Sequence, residues 1–217
     1  MPRFNGFLAL CLFLAGCAQP SRGPDSGGGG DPLAQLPATF ESTPSCPTCL
    51  QVTLTLRPDG SYALRQRLAS SEFYDFGRWR ASPAEGLVFL EGGRFETLRY
   101  LVRPPDALAA QEGVQGGDLK RRPQVEKLRG PFRLTGLYDG ATFKDCRTGL
   151  AWPVDDSRAA GDLKREYQKT EAGLAGKPAL VAIDARFDEE GAPREELHIQ
   201  RSPAILSGAA CPGPRVN

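Results

Sequence analysis

Histidine and methionine are almost missing from this chain, with His198 the one histidine and Met1 the one methionine among 217 residues. Imidazole is the usual general base near neutral pH, and imidazole and thioether are the usual partners of thiolate around copper, so the scarcity removes the side chains on which most hydrolase and copper sites are built. His198 stands between Leu197 and Ile199, which in a strand turns it to the face opposite theirs and makes it a satisfied strand residue. No Gly-x-Ser-x-Gly, P-loop or His-Glu-x-x-His motif occurs. Asp155-Asp156 and Glu189-Glu190 are adjacent acids in loops, positions that are usually solvated. The sequence therefore points away from an enzyme. An excess of one charge is lacking as well, since Lys+Arg 27 against Asp+Glu 26 leaves a formal net charge of +1. Without a cationic field the main energetic term of nucleic-acid binding is gone, and nucleic acid is excluded as a partner. The longest basic run, Lys120-Arg121-Arg122, reads as a solvated turn. No apolar run is long enough to span a bilayer: the one from Phe7 to Leu14 ends at Ala15-Gly16-Cys17, well short of the ~20 residues a spanning helix needs.

What that short run does provide is a secretory signal. Arg3 supplies a positive start, Phe7–Leu14 the apolar core, and Leu14-Ala-Gly-Cys17 matches the lipobox of bacterial lipoproteins. Cleavage before Cys17 and acylation of that cysteine would give a firm lipid anchor, because several acyl chains hold where a single one binds only marginally. Ala18, rather than Asp, follows the cysteine, which by the lipoprotein sorting rule directs the chain to the outer membrane, with the folded part facing the periplasm. Residues 17–35, with Gly27-Gly-Gly-Gly30, form a flexible tether.

Gly 25 and Pro 19 imply many turns and short strands. Gln51–Leu56 and Ser61–Leu68 alternate polar and apolar residues around Pro58-Asp59-Gly60, a β-hairpin. Phe76–Trp79, Leu87–Leu90 and Phe95–Val102 read as further strands of an antiparallel meander that closes into a small barrel. The stretch from Pro104 to Arg129 is polar and rich in Pro and Gly, which puts a domain boundary near Gly130. Beyond it, strands over Pro131–Tyr138, Leu180–Phe187 and Glu196–Arg201, with a helix over Ala159–Thr170, fit a five-stranded OB-type barrel. The expected organisation is a signal peptide over 1–16, a lipid-anchored tether over 17–35, a β-barrel domain with linker over 36–129 and an OB-like domain over 130–217. The class is mainly β.

Cys11 lies in the signal and Cys17 at the lipid site, leaving Cys46, Cys49, Cys146 and Cys211, and four cysteines permit three pairings. Joining Cys46 to Cys49 and Cys146 to Cys211 needs no cross-domain geometry. The second bond would also fasten Ala209-Ala-Cys-Pro-Gly-Pro214, a tail with too few apolar residues to hold itself against a core. Cys46-Pro-Thr-Cys49 has three readings: a structural or labile disulfide, a soft thiolate site for Cu(I) or Zn(II), and a thiol-disulfide centre. The last needs a helix N-terminus to lower the thiol pKa, and here the motif runs into a strand.

Leu36-Pro-Ala-Thr-Phe40, Cys46-Pro-Thr-Cys49, Leu54-Thr-Leu-Arg-Pro-Asp-Gly-Ser-Tyr62 and Phe76-Gly-Arg-Trp79, in that order, resemble the N-terminal domain of the NlpE family of copper-homeostasis and surface-sensing lipoproteins. Gly136-Leu-Tyr138, Ala141-Thr-Phe143, Asp145-Cys-Arg-Thr-Gly149, Trp152-Pro-Val154 and Cys211 are similar to that family's C-terminal OB domain. The resemblance implies a lipocalin-like barrel joined to an OB-fold. It also implies signalling to the periplasmic domain of an envelope-stress sensor kinase, that of the Cpx pathway, when lipoprotein traffic, surface contact, copper or disulfide formation is disturbed. It further implies Cys46 and Cys49 as the CxxC pair, a candidate Cu(I) site, and Cys146 with Cys211 as a redox-sensitive disulfide. Two departures stand out: the methionine and histidine ligands that complete a copper site are missing, and Ser42-Thr-Pro-Ser45 replaces a glycine-containing stretch before the CxxC. Two other functions remain open to a chain of this kind, a barrel that holds a small apolar ligand and a periplasmic Cu(I)-binding lipoprotein.

Overall fold

The computed structural model describes residues 31–93, 97–188, 195–201, 204–206 and 210–211. The signal segment, Cys17, Gly27–Gly30 of the tether, Phe95 and Glu189-Glu190 lie outside the described residues.

Strands β1 (Ala38–Ser42), β2 (Gln51–Leu56), β3 (Ser61–Leu68), β4 (Ser71–Ser82), β5 (Leu87–Glu91), β6 (Leu98–Arg103), β7 (Ala107–Ala110) and β8 (Leu119–Arg121) follow one another around a closed barrel. Antiparallel pairing of Phe40 with Arg121 and of Ser42 with Leu119 shuts it, so no strand edge between β1 and β8 is left open. The β2–β3 hairpin has Leu56 opposite Tyr62, and Gly60 at φ +80° takes the left-handed conformation that its turn requires. Inward positions carry Phe40, Leu54, Leu56, Tyr62, Leu64, Val88, Leu90, Tyr100, Leu108 and Leu119, all buried in one cluster. Eight strands enclose a space that side chains of this size fill.

The final turn of the barrel departs from the sequence expectation. Within the stretch read as polar, β7 and β8 supply the last two staves, and Leu108 and Leu119 are fully buried. Lys120-Arg121-Arg122 is not a solvated turn. Arg121 donates to the carbonyls of Pro32 and Gln35 at 3.0 and 2.7 Å, while Arg122 pairs with Glu126 at 2.9 Å. The chain leaving β8 is strapped to the outside of β1 and β2. There Thr39 and Thr55 share a hydroxyl contact of 2.9 Å, Glu126 N donates to Thr39 Oγ1, Thr55 Oγ1 donates to Glu126 O, and Arg65 pairs with the Glu126 carboxylate at 2.7 Å.

In the second half, β9 (Phe132–Tyr138), β10 (Thr142–Asp145), β11 (Ala151–Pro153), β12 (Ala179–Asp188), β13 (Glu196–Ile199) and β14 (Ala204–Ile205) form one sheet of order β11-β10-β9-β12-β13, with β14 against β12. A bridge between Val154 and Leu197 brings its ends together, which makes a nearly closed OB-type barrel. Helix α1 (Arg158–Gln168) starts where Ser157 Oγ accepts Ala160 N at 3.3 Å. It lays Ala160, Leu163 and Tyr167, spaced along one face, on the sheet. A short α2 (Glu171–Leu174) follows. The mainly β reading, a closed barrel followed by an OB-type barrel with one helix of any length, is borne out.

The two cores meet. Ala63 and Phe76 face outward from β3 and β4, and both are buried in the cluster of the second domain together with Phe132, Trp152 and Phe187. Among the described residues no helix is long and apolar enough to cross a membrane.

Candidate functional site

β1 is the first strand of the barrel, and the CxxC motif lies just past its end, between β1 and β2. Cys46 and Cys49 are joined there in a tight turn, with Cys49 N donating to Cys46 O at 3.1 Å. Ser45 Oγ stands 3.5 Å from Cys49 Sγ and Thr48 Oγ1 3.5 Å from Cys46 Sγ. The turn is not a helix N-terminus, so no helix dipole acts on these sulfurs. Reduced to two thiols, the pair offers copper two soft donors and nothing further close by. Among the described residues no three of His, Cys, Asp and Glu gather, the two neighbouring hydroxyls are hard donors, and His198 is engaged elsewhere with Asp155. Cys46→Ser/Cys49→Ser is expected to leave stability within about 0.5 kcal/mol of the parent, the usual range for surface substitutions, and its urea midpoint is the measurement.

The second pair binds distant parts of the chain. Cys146 and Cys211 are joined across 65 residues with their Cα atoms 5.3 Å apart. Cys146 begins the loop from β10 to β11, and its amide donates to Thr135 O on β9 at 2.9 Å. Asp145 next to it is fully buried and accepts both the amide and the hydroxyl of Thr148 at 2.8 Å, which folds the loop back on itself. Its other oxygen, Oδ1, is buried with no hydrogen-bond partner among the described residues.

Burial raises the Asp145 pKa above the usual carboxylate value, and the bonds from Thr148 and the charge of Arg147 only partly offset this. The folded state therefore holds this proton more tightly than the unfolded chain does. The resulting stability is complete below the unfolded value and is lost as pH rises through the folded one. Asp145→Asn keeps a carbonyl for Thr148 and cannot ionise. It is expected to be more stable relative to the parent at neutral pH than at acid pH, read from urea midpoints between roughly pH 3 and 7; a constant difference across that range would show that the carboxyl does not ionise differently on folding.

The same loop carries the polar contacts to the barrel. Arg147 Nη1 donates to Phe76 O at 3.1 Å and stands 3.5 Å from Asp75 Oδ1. Thr148 O accepts Arg78 Nε at 3.0 Å and Arg78 Nη2 as well. Asp75 lies on the inward row of β4, opposite Leu64, and accepts the Tyr62 hydroxyl at 3.2 Å. Burial and the Asp75 charge push the Tyr62 pKa well up, so the hydroxyl stays protonated and donates. A second polar joint lies nearby, where Arg57 Nη1 reaches both oxygens of Glu195 at 3.1 Å and Trp152 Nε1 donates to the same carboxylate at 3.0 Å.

Sequence reasoning missed this cluster. Its one signal was Asp75 itself, a carboxylate at a position whose alternation calls for an apolar side chain. Asp155 is also less solvated than expected: it accepts Ser157 Oγ at 2.9 Å and pairs with His198 Nδ1 at 2.5 Å. That arrangement fixes the start of α1, and its serine faces the carboxylate rather than the imidazole, so it is no nucleophile–base pair.

A closed eight-stranded barrel followed by a disulfide-tied OB-type barrel defines a two-domain β protein. Residues 122–200 match the family model of the NlpE C-terminal OB domain, in agreement with the resemblance drawn from Gly136-Leu-Tyr138 and Asp145–Gly149. No curated protein matches the chain. Among solved structures it is similar to the crystal structure of the Cpx pathway activator NlpE from Escherichia coli, at 22% identity and a TM-score of 0.33, covering 82% of this chain and 98% of that one.

Proposed function

We propose that this chain is a non-enzymatic lipoprotein of the cell envelope, anchored in the outer membrane through Cys17 and facing the periplasm, which signals envelope stress to a sensor kinase. The observation that carries this reading is the NlpE-type OB domain over residues 122–200, with its disulfide placed at the junction to the barrel. A bond of this kind forms in an oxidising compartment, which suits export and makes its absence a report of failed oxidation. The Cu(I) reading has the Cys46 and Cys49 sulfurs behind it and no third His, Cys, Asp or Glu beside them among the described residues. The apolar-ligand reading meets a barrel interior packed with Tyr62, Tyr100, Phe40 and leucines, while the clefts around Asp59, Arg78 and Trp79 and around Gln35, Asp106 and Arg121 lie on the outside.

Deletion of the gene is expected to leave growth in rich medium nearly normal, while overproduction of the full lipoprotein in its own host is expected to induce envelope-stress transcripts. The Cys17→Ala chain, which cannot be acylated there, is the control for the anchor. No transcriptional response to the parent chain would overturn the reading.

A further inference from the structure

Much of the barrel's outer wall is covered. The strap after β8 lies on β1 and β2 through Thr39, Thr55 and Glu126, and the second domain packs on Ala63 and Phe76 of β3 and β4. The rest of the wall is formed by β5, β6 and β7, on which no strand or helix of the second domain packs. Alternation fixes its outward side chains. Val88, Leu90, Tyr100, Val102 and Leu108 point into the barrel, so Leu87, Phe89, Leu101 and Ala109 between them point out. A wall that faces water on an antiparallel sheet is expected to be polar. Here Leu87 stands opposite Leu101 and Leu101 opposite Ala109, an apolar row across β5, β6 and β7 whose members are half-buried. Phe89 lies beside that row, only 9% exposed, and the Arg80 guanidinium covers its ring 3.8 Å from the centroid.

The charge around this row is mostly of one sign. Arg80 pairs with Glu91 at 2.8 Å. Arg99 stands opposite Phe89, and Arg103 and Lys120 both stand opposite Ala107. Each of these three cations is exposed and makes no ion pair among the described residues. Glu85 and Asp106 lie in turns at the rim rather than on the wall. Elsewhere on the barrel Arg65, Arg67 and Arg122 each have a carboxylate, and the formal net charge of the chain is only +1, so the surplus belongs to this wall.

Arginine, an aromatic ring and a half-buried apolar row are the composition of a protein interface, and unpaired cations around them call for acidic groups opposite. A lipid surface suits them less. Binding in the plane of a bilayer needs apolar groups that enter it, whereas here the ring lies under a guanidinium and the leucines are sunk in the wall. We propose that the β5–β7 wall, with Leu87, Phe89 and Leu101 at its centre and Arg99, Arg103 and Lys120 around them, docks an acidic surface on the periplasmic domain of the sensor kinase. The inference rests on the signalling reading above and names the face which that reading needs.

Binding of the full lipoprotein, in non-ionic detergent, to the purified periplasmic domain of the host's envelope-stress kinase tests it. Arg99→Glu/Arg103→Glu should slow association by roughly tenfold or more and flatten its dependence on salt, since charges around an interface act chiefly on encounter. Leu101→Ser should speed dissociation and leave association as in the parent. Arg133→Glu/Lys164→Glu makes the same change of charge on exposed residues of the second domain and should bind as the parent does. Urea midpoints check folding, and the charge reversal, confined to exposed side chains, carries the test if Leu101→Ser is unstable. Association that the reversal leaves unchanged, or that the second-domain control slows equally, overturns the inference. So does a reversal that alters only self-association of the chain or, in the Cys17→Ala chain, only binding to phosphatidylglycerol vesicles. Transcripts separate this failure from that of the reading. A charge-reversed chain that induces envelope-stress transcripts as the parent does sinks only the face, whereas a parent chain that neither binds the kinase domain nor induces them sinks the reading and the inference with it.

Discussion

Cys211→Ser is expected to lower the stability of the chain by about 2 to 4 kcal/mol, because the bond it removes closes a long loop and such bonds act mainly by restricting the unfolded chain. The loop runs over 65 residues, near the upper end of what the chain-entropy account allows within one domain. Little else holds the tail. β14 is two residues long and pairs with β12 through Ile205 opposite Val181 and Ala204 opposite Ala182. The variant should therefore unfold at lower urea and become open to proteolysis after Ile205 while the parent resists. An unchanged midpoint would mean that the unfolded chain is not restricted by the bond. The contrast with the CxxC pair is built into the sequence, since a separation of 3 closes a ring too small to remove much freedom from the unfolded chain.

Where an element depends on local pattern, it was legible. The β2–β3 hairpin announces itself by alternation on both sides of Pro58-Asp59-Gly60, and α1 by Leu163 and Tyr167 spaced to one face, while its serine cap emerges only in the structure. β7 and β8 were not legible. Ala107-Leu-Ala-Ala110 has little to mark it as a strand, and in Leu119-Lys-Arg121 only the leucine faces the core, so the basic pair looked like a turn. β4 was seen only over Phe76–Trp79. Its first half, Ser71-Glu-Phe-Tyr-Asp75, mixes exposed polar and aromatic residues, and its partner β3, not its own pattern, makes it a strand. The cysteine pairs could be proposed from spacing and the domain boundary. The cluster around them could not, because Arg147 and Asp75 are 72 positions apart, as 147 − 75, and meet only once two independently folded patterns are brought together.

Phe76→Ala is expected to cost about 3 to 5 kcal/mol, the usual range for removing a buried aromatic ring, and to be felt in both domains. Phe76 is fully buried although it belongs to β4 of the barrel and faces away from the barrel interior. Its ring centre lies 5.7 Å from that of Phe132, 5.8 Å from Trp152 and 5.1 Å from Phe187, all residues of the second domain. Arg57, also from the barrel, caps this cluster with its guanidinium 5.8 Å from the Phe76 ring and 5.0 Å from the Phe187 ring, and is held there by Glu195. Removing the ring leaves a void shared by two cores, and the polar joints around it lose the packing that aligns them. The parent chain should therefore melt in one calorimetric transition, and Phe76→Ala should lower it and split it in two, since the domains no longer share a core. A change inside the barrel, such as Leu54→Ala, should lower the single transition without splitting it, because the shared cluster is untouched. Two separate transitions in the parent, with Phe76→Ala moving only one of them, would mean that the two domains fold without each other's support.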